Sequence, residues 1–152
     1  MKQGIGSVFL YNIIIVFIVI TFGFLAATLS YMKAFKVNSR IAYSLERHEG
    51  YNYLSNNEIN DSLSTLGYRV NTSNVQTCKN RSHTINGKTK TYSAVPFITN
   101  NYLYCIYEYD KVNGYFSYGI VTYIFVDIPI LGGTFKVPVY SESERIYEFN
   151  KN

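Results

Sequence analysis

VFLYNIIIVFIVITFGFLAATL, residues 8–29, lies within thirty residues (3–32) that carry no charge. Crossing roughly 30 Å of hydrocarbon takes about 20 apolar residues at a helical rise of about 1.5 Å each, so this stretch is long enough to span a bilayer. Its apolar run exceeds the roughly 7–15 residues of a secretory signal core. The small pair Ala26-Ala27 is followed by more helical pattern, not by a loop-like mature start. The expectation is a retained anchor rather than a cleaved leader. Asn12 and Thr21 are the clearly polar side chains of the span, and Gly23 lies beside Thr21. Asn12 and Gly23 are candidate packing residues, because a lone Asn hydrogen-bonds across membrane helices and a small residue lets backbones approach. Asn12 is also near enough to the head, residues 1–7, to sit among lipid headgroups.

Beyond the span the helical pattern continues. Residues 30–49 contain neither Pro nor Gly, and Ala34, Val37, Ile41 and Leu45 form one narrow apolar stripe. Lys33, Lys36, Arg40 and Arg47 fall on a different face, and Gly50 is positioned as a C-terminal cap. The prediction is one helix of about 40 residues, half in lipid and half lying on a folded domain. A second helix is expected over 56–66, from the capping-box spacing of Ser55 and Glu58, the stripe Ile59, Leu63 and Leu66, and the stop at Gly67.

The remainder reads as β. Short strands are expected at 68–71 and 75–78. The polar run KNRSHTINGKTKTY, residues 79–92, is either a hairpin turning at Asn86-Gly87 or a loop. Residues 102–109 alternate, with Leu103, Cys105, Tyr107 and Tyr109 on one face and Tyr104, Ile106 and Glu108 on the other. A turn DKVNG (110–114), a long strand 115–128, a returning strand 134–140 and an edge strand at 145–149 complete an antiparallel meander. The fold class is therefore α+β: a long N-terminal helix packed on a small antiparallel sheet. Residues 1–30 form the head and transmembrane helix. Residues 31–152 form one α+β domain with helices at 31–49 and 56–66 and a sheet within 68–149, about the size that supports one modest core.

The net charge of +4 is mild, and Lys33, Lys36 and Arg40 place much of it beside the span. That placement suits anionic lipid headgroups and argues against nucleic acid as a partner. Sixteen tyrosines against no tryptophan suit half-buried strands with one apolar face and one wet edge. Cys78 and Cys105 have no metal-ligand spacing. They are either one disulfide or two buried thiols, and a preceding membrane segment favours the disulfide. His48 and His83 belong to no recognisable motif, no nucleophile elbow occurs, and Glu142, Glu144 and Glu148 read as a solvated strand face. Neither an enzyme nor a cofactor-dependent protein is indicated. The charge flanking the span would by itself put the C-terminal domain in the cytoplasm. The cysteine pair, the Tyr/Thr/Ser/Asn-rich strands and the short head favour the outside, which is the expectation here.

The head 2–6, the span, its amphipathic continuation to Glu49, and the late segments DIPILGG (127–133) and FKVPV (135–139) together carry a resemblance. The chain resembles the type IV pilin-like superfamily, most of all the minor pseudopilins of the tight-adherence (Tad, Flp) branch, the TadE/TadF-like proteins. The resemblance implies a pilin-like fold, and Gly6 as a candidate site of prepilin-peptidase processing. It implies partners among membrane lipid, other pilin-like subunits and assembly-platform proteins. Such proteins usually carry a glutamate five residues beyond the processed glycine, whereas this chain has Tyr11 counting from Gly6 and Phe9 counting from Gly4. The departure speaks against a major pilin. Two functions are carried forward: a non-enzymatic single-pass subunit of a pilus or secretion filament, and a membrane-tethered extracytoplasmic module that binds a glycan or peptide.

Overall fold

The computed structural model describes residues 2–70, 78–98, 101–128 and 133–147, without the side chains of 2–7, 111–112, 126–128 and 133–135. The first helix, α1, runs without a break over Lys2–Arg47. Its 46 residues correspond to about 70 Å. The unbroken course follows from the absence of Pro and from interior glycines that occur singly. It ends in a paired 5→2 and 6→1 cap. The Glu49 N–H donates to the Glu46 carbonyl at 3.3 Å, and the Gly50 N–H donates to the Leu45 carbonyl at 2.8 Å. The left-handed residue is Glu49, with φ +54°, one position before the expected glycine. Gly50 has a separate reason to be glycine, since a Cβ there would come within 3.0 Å of the Tyr118 hydroxyl.

The second helix, α2 (Tyr53–Thr65), starts three residues earlier than its sequence pattern predicts. Asn52 caps it, its side chain accepting from the Leu54 and Ser55 N–H groups, while the Ser55 hydroxyl accepts from the Asn52 N–H. Ser55 is therefore the third helical residue of the capping box rather than its first member. Glu58 is thereby released to bind α1. Gly67, at φ +58°, ends the helix as expected.

Two sheets follow. The polar run folds as a hairpin of β1 (Arg81–Ile85) and β2 (Lys88–Tyr92). Asn86 and Gly87 between them both have positive φ, as a type I′ turn requires. The larger sheet contains β3 (Cys105–Val112), β4 (Tyr115–Ile128), β5 (Gly133–Glu142) and β6 (Ile146–Tyr147). The expected turn at 110–114 contracts to Asn113-Gly114, a second pair at positive φ, so β3 extends through 110–112. β5 pairs with β4 over ten residues. β6 is not an added outer strand: it continues the β5 ladder along β4, pairing Phe116 with Ile146. In the interruption, Ser143 donates its N–H to the Tyr118 carbonyl and its hydroxyl accepts from the Tyr118 N–H, both at 2.9 Å. Of the strands expected at 68–71 and 75–78, Val70 forms a single bridge to Tyr102, and residues 71–77 lie outside the described ones.

Both faces of the β3–β4 pair are covered. Val37, Ile41 and Leu45 of α1 and Ile59 and Leu63 of α2 pack against Tyr104, Ile106, Tyr118 and Ile120. On the reverse face, Tyr92 of the hairpin closes over Cys105, Tyr107, Tyr109 and Val121. The two-face alternation read from 103–109 therefore holds, with a helical lid on one side and a hairpin lid on the other. Where β3 diverges from β4, Tyr68 takes its place. Its hydroxyl accepts from the Tyr123 N–H at 2.9 Å and donates to the Leu103 carbonyl at 2.9 Å. Burial pushes the Tyr68 hydroxyl pKa up, so it remains a donor throughout the physiological range.

Glu58 joins the two helices. Its carboxylate lies 3.1 Å from Arg47 Nη1 and 2.6 Å from His48 Nε2. Burial alone would raise its pKa, but the His48 hydrogen bond and the Arg47 charge hold it below the ordinary 4.5. A carboxyl depressed in the folded state contributes stability above its unfolded pKa and loses it as pH falls through the folded value. Glu58→Gln is expected to cost about 1 kcal/mol at pH 7 and less at pH 3. Thermal melts at the two pH values check this, and an equal cost at both would assign the acid sensitivity elsewhere.

Candidate functional site

Residues 8–29 are exposed along their whole length, with Phe9 at 68%, Phe17 at 70% and Phe24 at 73%. The most apolar window of this helix buries nothing against the rest of the chain. An exposed apolar surface of this extent needs an apolar surround, and the helix is long and apolar enough to cross a membrane. Its hydroxyls suit that environment: Thr21 donates to the Phe17 carbonyl at 2.8 Å and Thr28 to the Phe24 carbonyl at 2.6 Å.

Asn12 is exposed, and a Cβ at Gly23 would meet nothing within 4 Å. Eleven helical residues separate them, so they lie within about 20° of one another around the axis. The same face passes through Ser30 and becomes the buried stripe Ala34, Val37 and Ile41. The side of the span bearing Asn12 and Gly23 therefore lies beneath the domain. Gly6 falls inside α1, within its first turns.

Cys78 and Cys105 form a disulfide, with Cα atoms 5.9 Å apart. It fastens the chain entering the hairpin to the first residue of β3. The Tyr107 hydroxyl donates to the Lys79 carbonyl at 2.7 Å beside it. A disulfide fits an oxidising compartment and so supports an extracytoplasmic domain.

Among the described residues, concavities lie at both ends of the larger sheet. At the hairpin end a cleft of about 150 Å³ is lined by His83, Asp110, Ser117, Glu142 and Arg145. His83 stacks on Tyr109 with ring centroids 3.9 Å apart, and Glu142 accepts from the Ser117 hydroxyl at 2.7 Å. The Tyr109 and Tyr140 hydroxyls meet at 3.2 Å, and the Arg81 guanidinium lies 3.8 Å over the Tyr140 ring. Burial pushes the Tyr109 and Tyr140 hydroxyls up, so both stay protonated hydrogen-bonding groups. Sequence reading treats His83 and Glu142 as unrelated surface residues. They lie 59 positions apart, and the docking of the β1–β2 hairpin on the larger sheet, together with the register of β5 on β4, brings them to 3.9 Å.

At the other end, where α1 leaves the domain, a groove of about 390 Å³ is lined by Ser30, Lys33, Tyr68, Arg69, Ile124 and Phe125, among others. The Arg69 guanidinium lies 4.8 Å over the Phe125 ring, and the Lys33 ammonium comes close to Gly67 at the C-terminus of α2. Lys36 and Arg40 do not line the groove. Among the described residues, no three His, Cys, Asp or Glu side chains gather as a metal-ligand group. Comparison with protein-family models, curated proteins and solved structures finds no match to this chain.

Proposed function

We propose that the chain is a non-enzymatic, single-pass membrane protein acting as a minor pilin-like subunit of a pilus or secretion-filament assembly. Residues 8–29 lie in the bilayer and the disulfide-bonded domain lies outside the cytoplasm. The observation that carries this reading is the continuity of α1. One rigid helix offers an unburied apolar half for lateral packing, while its other half is the scaffold of a small sheet domain. Pilin-like subunits need that division of labour, since the bare helix must serve both as a membrane anchor and as the packing element of the assembly. The face bearing Asn12 and Gly23 is the packing face, with interhelical hydrogen bonding at one position and close backbone approach at the other.

Asn12→Leu with Gly23→Leu is expected to abolish higher-order complexes of the full chain on native gels in mild detergent. The protein should remain resistant to carbonate extraction. A wild-type chain that is monomeric in cells and detergent alike would sink the assembly reading. A chain released by carbonate would sink the membrane reading as well.

The alternative, a membrane-tethered module binding a glycan or peptide, is favoured by one observation. The cleft under the hairpin gathers aromatic faces, two carboxylates, hydroxyls and a guanidinium within one small concavity.

A further inference from the structure

We infer that the cleft between the hairpin and the larger sheet binds one neutral pyranose unit of a glycan. This deepens the second reading above, the tethered binding module, and rests on it. The cleft of about 150 Å³ is the size of one six-membered ring, since an apolar cavity of about that volume accommodates benzene. An extended peptide is read along a sheet edge or a helical groove with successive side-chain pockets, which a single compact concavity does not offer.

The lining matches a ring that bears hydroxyls. Each sugar hydroxyl both donates and accepts, so an acceptor and a donor side by side meet it best. Glu142 supplies the acceptor, and Arg145 and the Asn86 amide supply donors. Glu142 is oriented in advance, accepting from the Ser117 hydroxyl at 2.7 Å and the Tyr140 hydroxyl at 3.4 Å. Tyr115 stands at the same cleft, edge-on to Tyr147 at 5.0 Å yet 43% exposed, and presents ring surface to the C–H face of a sugar. Formal charge in the cleft balances among the described residues. Asp110 is paired with Lys90 at 2.6 Å, and the Glu142 carboxylate and Arg145 guanidinium are of opposite sign. A neutral ligand is therefore favoured over an ionic one.

A ring in the cleft touches Asn86 on the hairpin turn and Glu142 on β5, so binding ties the lid to the sheet. The test uses the full chain in a detergent without a sugar headgroup, titrated with cellotriose, maltotriose and mannotriose. Saturation-transfer NMR reads contact, and amide exchange reads the hairpin. At least one of the three is expected to bind and to slow exchange in β1 and β2. Arg145→Ala, which leaves the Tyr115–Tyr147 pairing in place, is expected to weaken that binding about 10-fold, and adding Tyr115→Ala about 3-fold more. Arg40→Ala with Tyr43→Ala removes the same side-chain types from the exposed part of α1, and is expected to change binding less than about two-fold. Equal loss in both double variants would overturn the site. Trigalacturonate bound far more tightly than every neutral trisaccharide would overturn the neutral assignment. If the neutral sugars fail while trialanine binds with loss in Arg145→Ala, the sugar is defeated and the binding-module reading stands. Failure of every probe defeats both.

Discussion

Gly119→Ala is expected to destabilise the domain by about 2–3 kcal/mol, a large share of the stability of a domain this size. Gly119 lies on β4, where the Tyr109 ring of β3 crosses the backbone. A Cβ at that position would overlap the Tyr109 hydroxyl and approach its Cζ to 2.6 Å and its Cε2 to 2.9 Å. A tyrosine at a surface would swing aside at little cost. Tyr109 is 1% exposed, stacked on His83, edge-on to Tyr92 at 5.0 Å, and hydrogen-bonded to Tyr140. Moving it breaks the hairpin lid open and dismantles the cleft at His83 and Glu142. Denaturant unfolding monitored by tyrosine near-ultraviolet dichroism measures the loss. The double variant Gly119→Ala with Tyr109→Leu should recover part of it, because the shorter side chain vacates the contested space. A cost below about 0.5 kcal/mol would mean that the ring moves freely and that the lid is not held by this contact.

Removing the disulfide is expected to be costlier still. Cys78 and Cys105 are 27 positions apart, and closing a loop of that length in the unfolded chain corresponds to about 3–4 kcal/mol. The hairpin depends on it more than the rest of the fold does. β2 buries only Tyr92, and an exposed two-stranded ribbon with one buried aromatic is marginal on its own. In Cys78→Ser, amide exchange should therefore rise first in β1 and β2 and over Tyr107 and Tyr109. α1, α2 and β4 should keep their protection until the domain melts as a whole. Uniform loss of protection would show instead that hairpin and sheet form one cooperative unit. The same experiment bears on location, because a domain leaning this heavily on a disulfide is poorly suited to a reducing compartment.

Sequence alone determined the elements whose physics is local. The uncharged run at 3–32 and the stripe at 34, 37, 41 and 45 are enough to specify a long helix with an apolar half and a docking half. The alternation along 103–109 assigns residues to faces, and Asn86-Gly87 marks a turn that only residues tolerant of positive φ accommodate. Where several local signals compete, the tertiary structure chose among them. The spacing of Ser55 and Glu58 reads as a capping box, but Asn52 caps the helix, Ser55 closes the box, and Glu58 pairs with Arg47 and His48 of α1. Only the tertiary structure decided the rest, for contacts between residues far apart in the chain leave no periodic trace. That a polar hairpin covers the second sheet face depends on Tyr92 and the disulfide, not on any apolar stripe in β1 or β2. That His83 meets Glu142, that Gly119 must lack a side chain, and that Lys33 and Arg69 share one groove follow from hairpin docking, from strand register and from where α1 leaves the sheet.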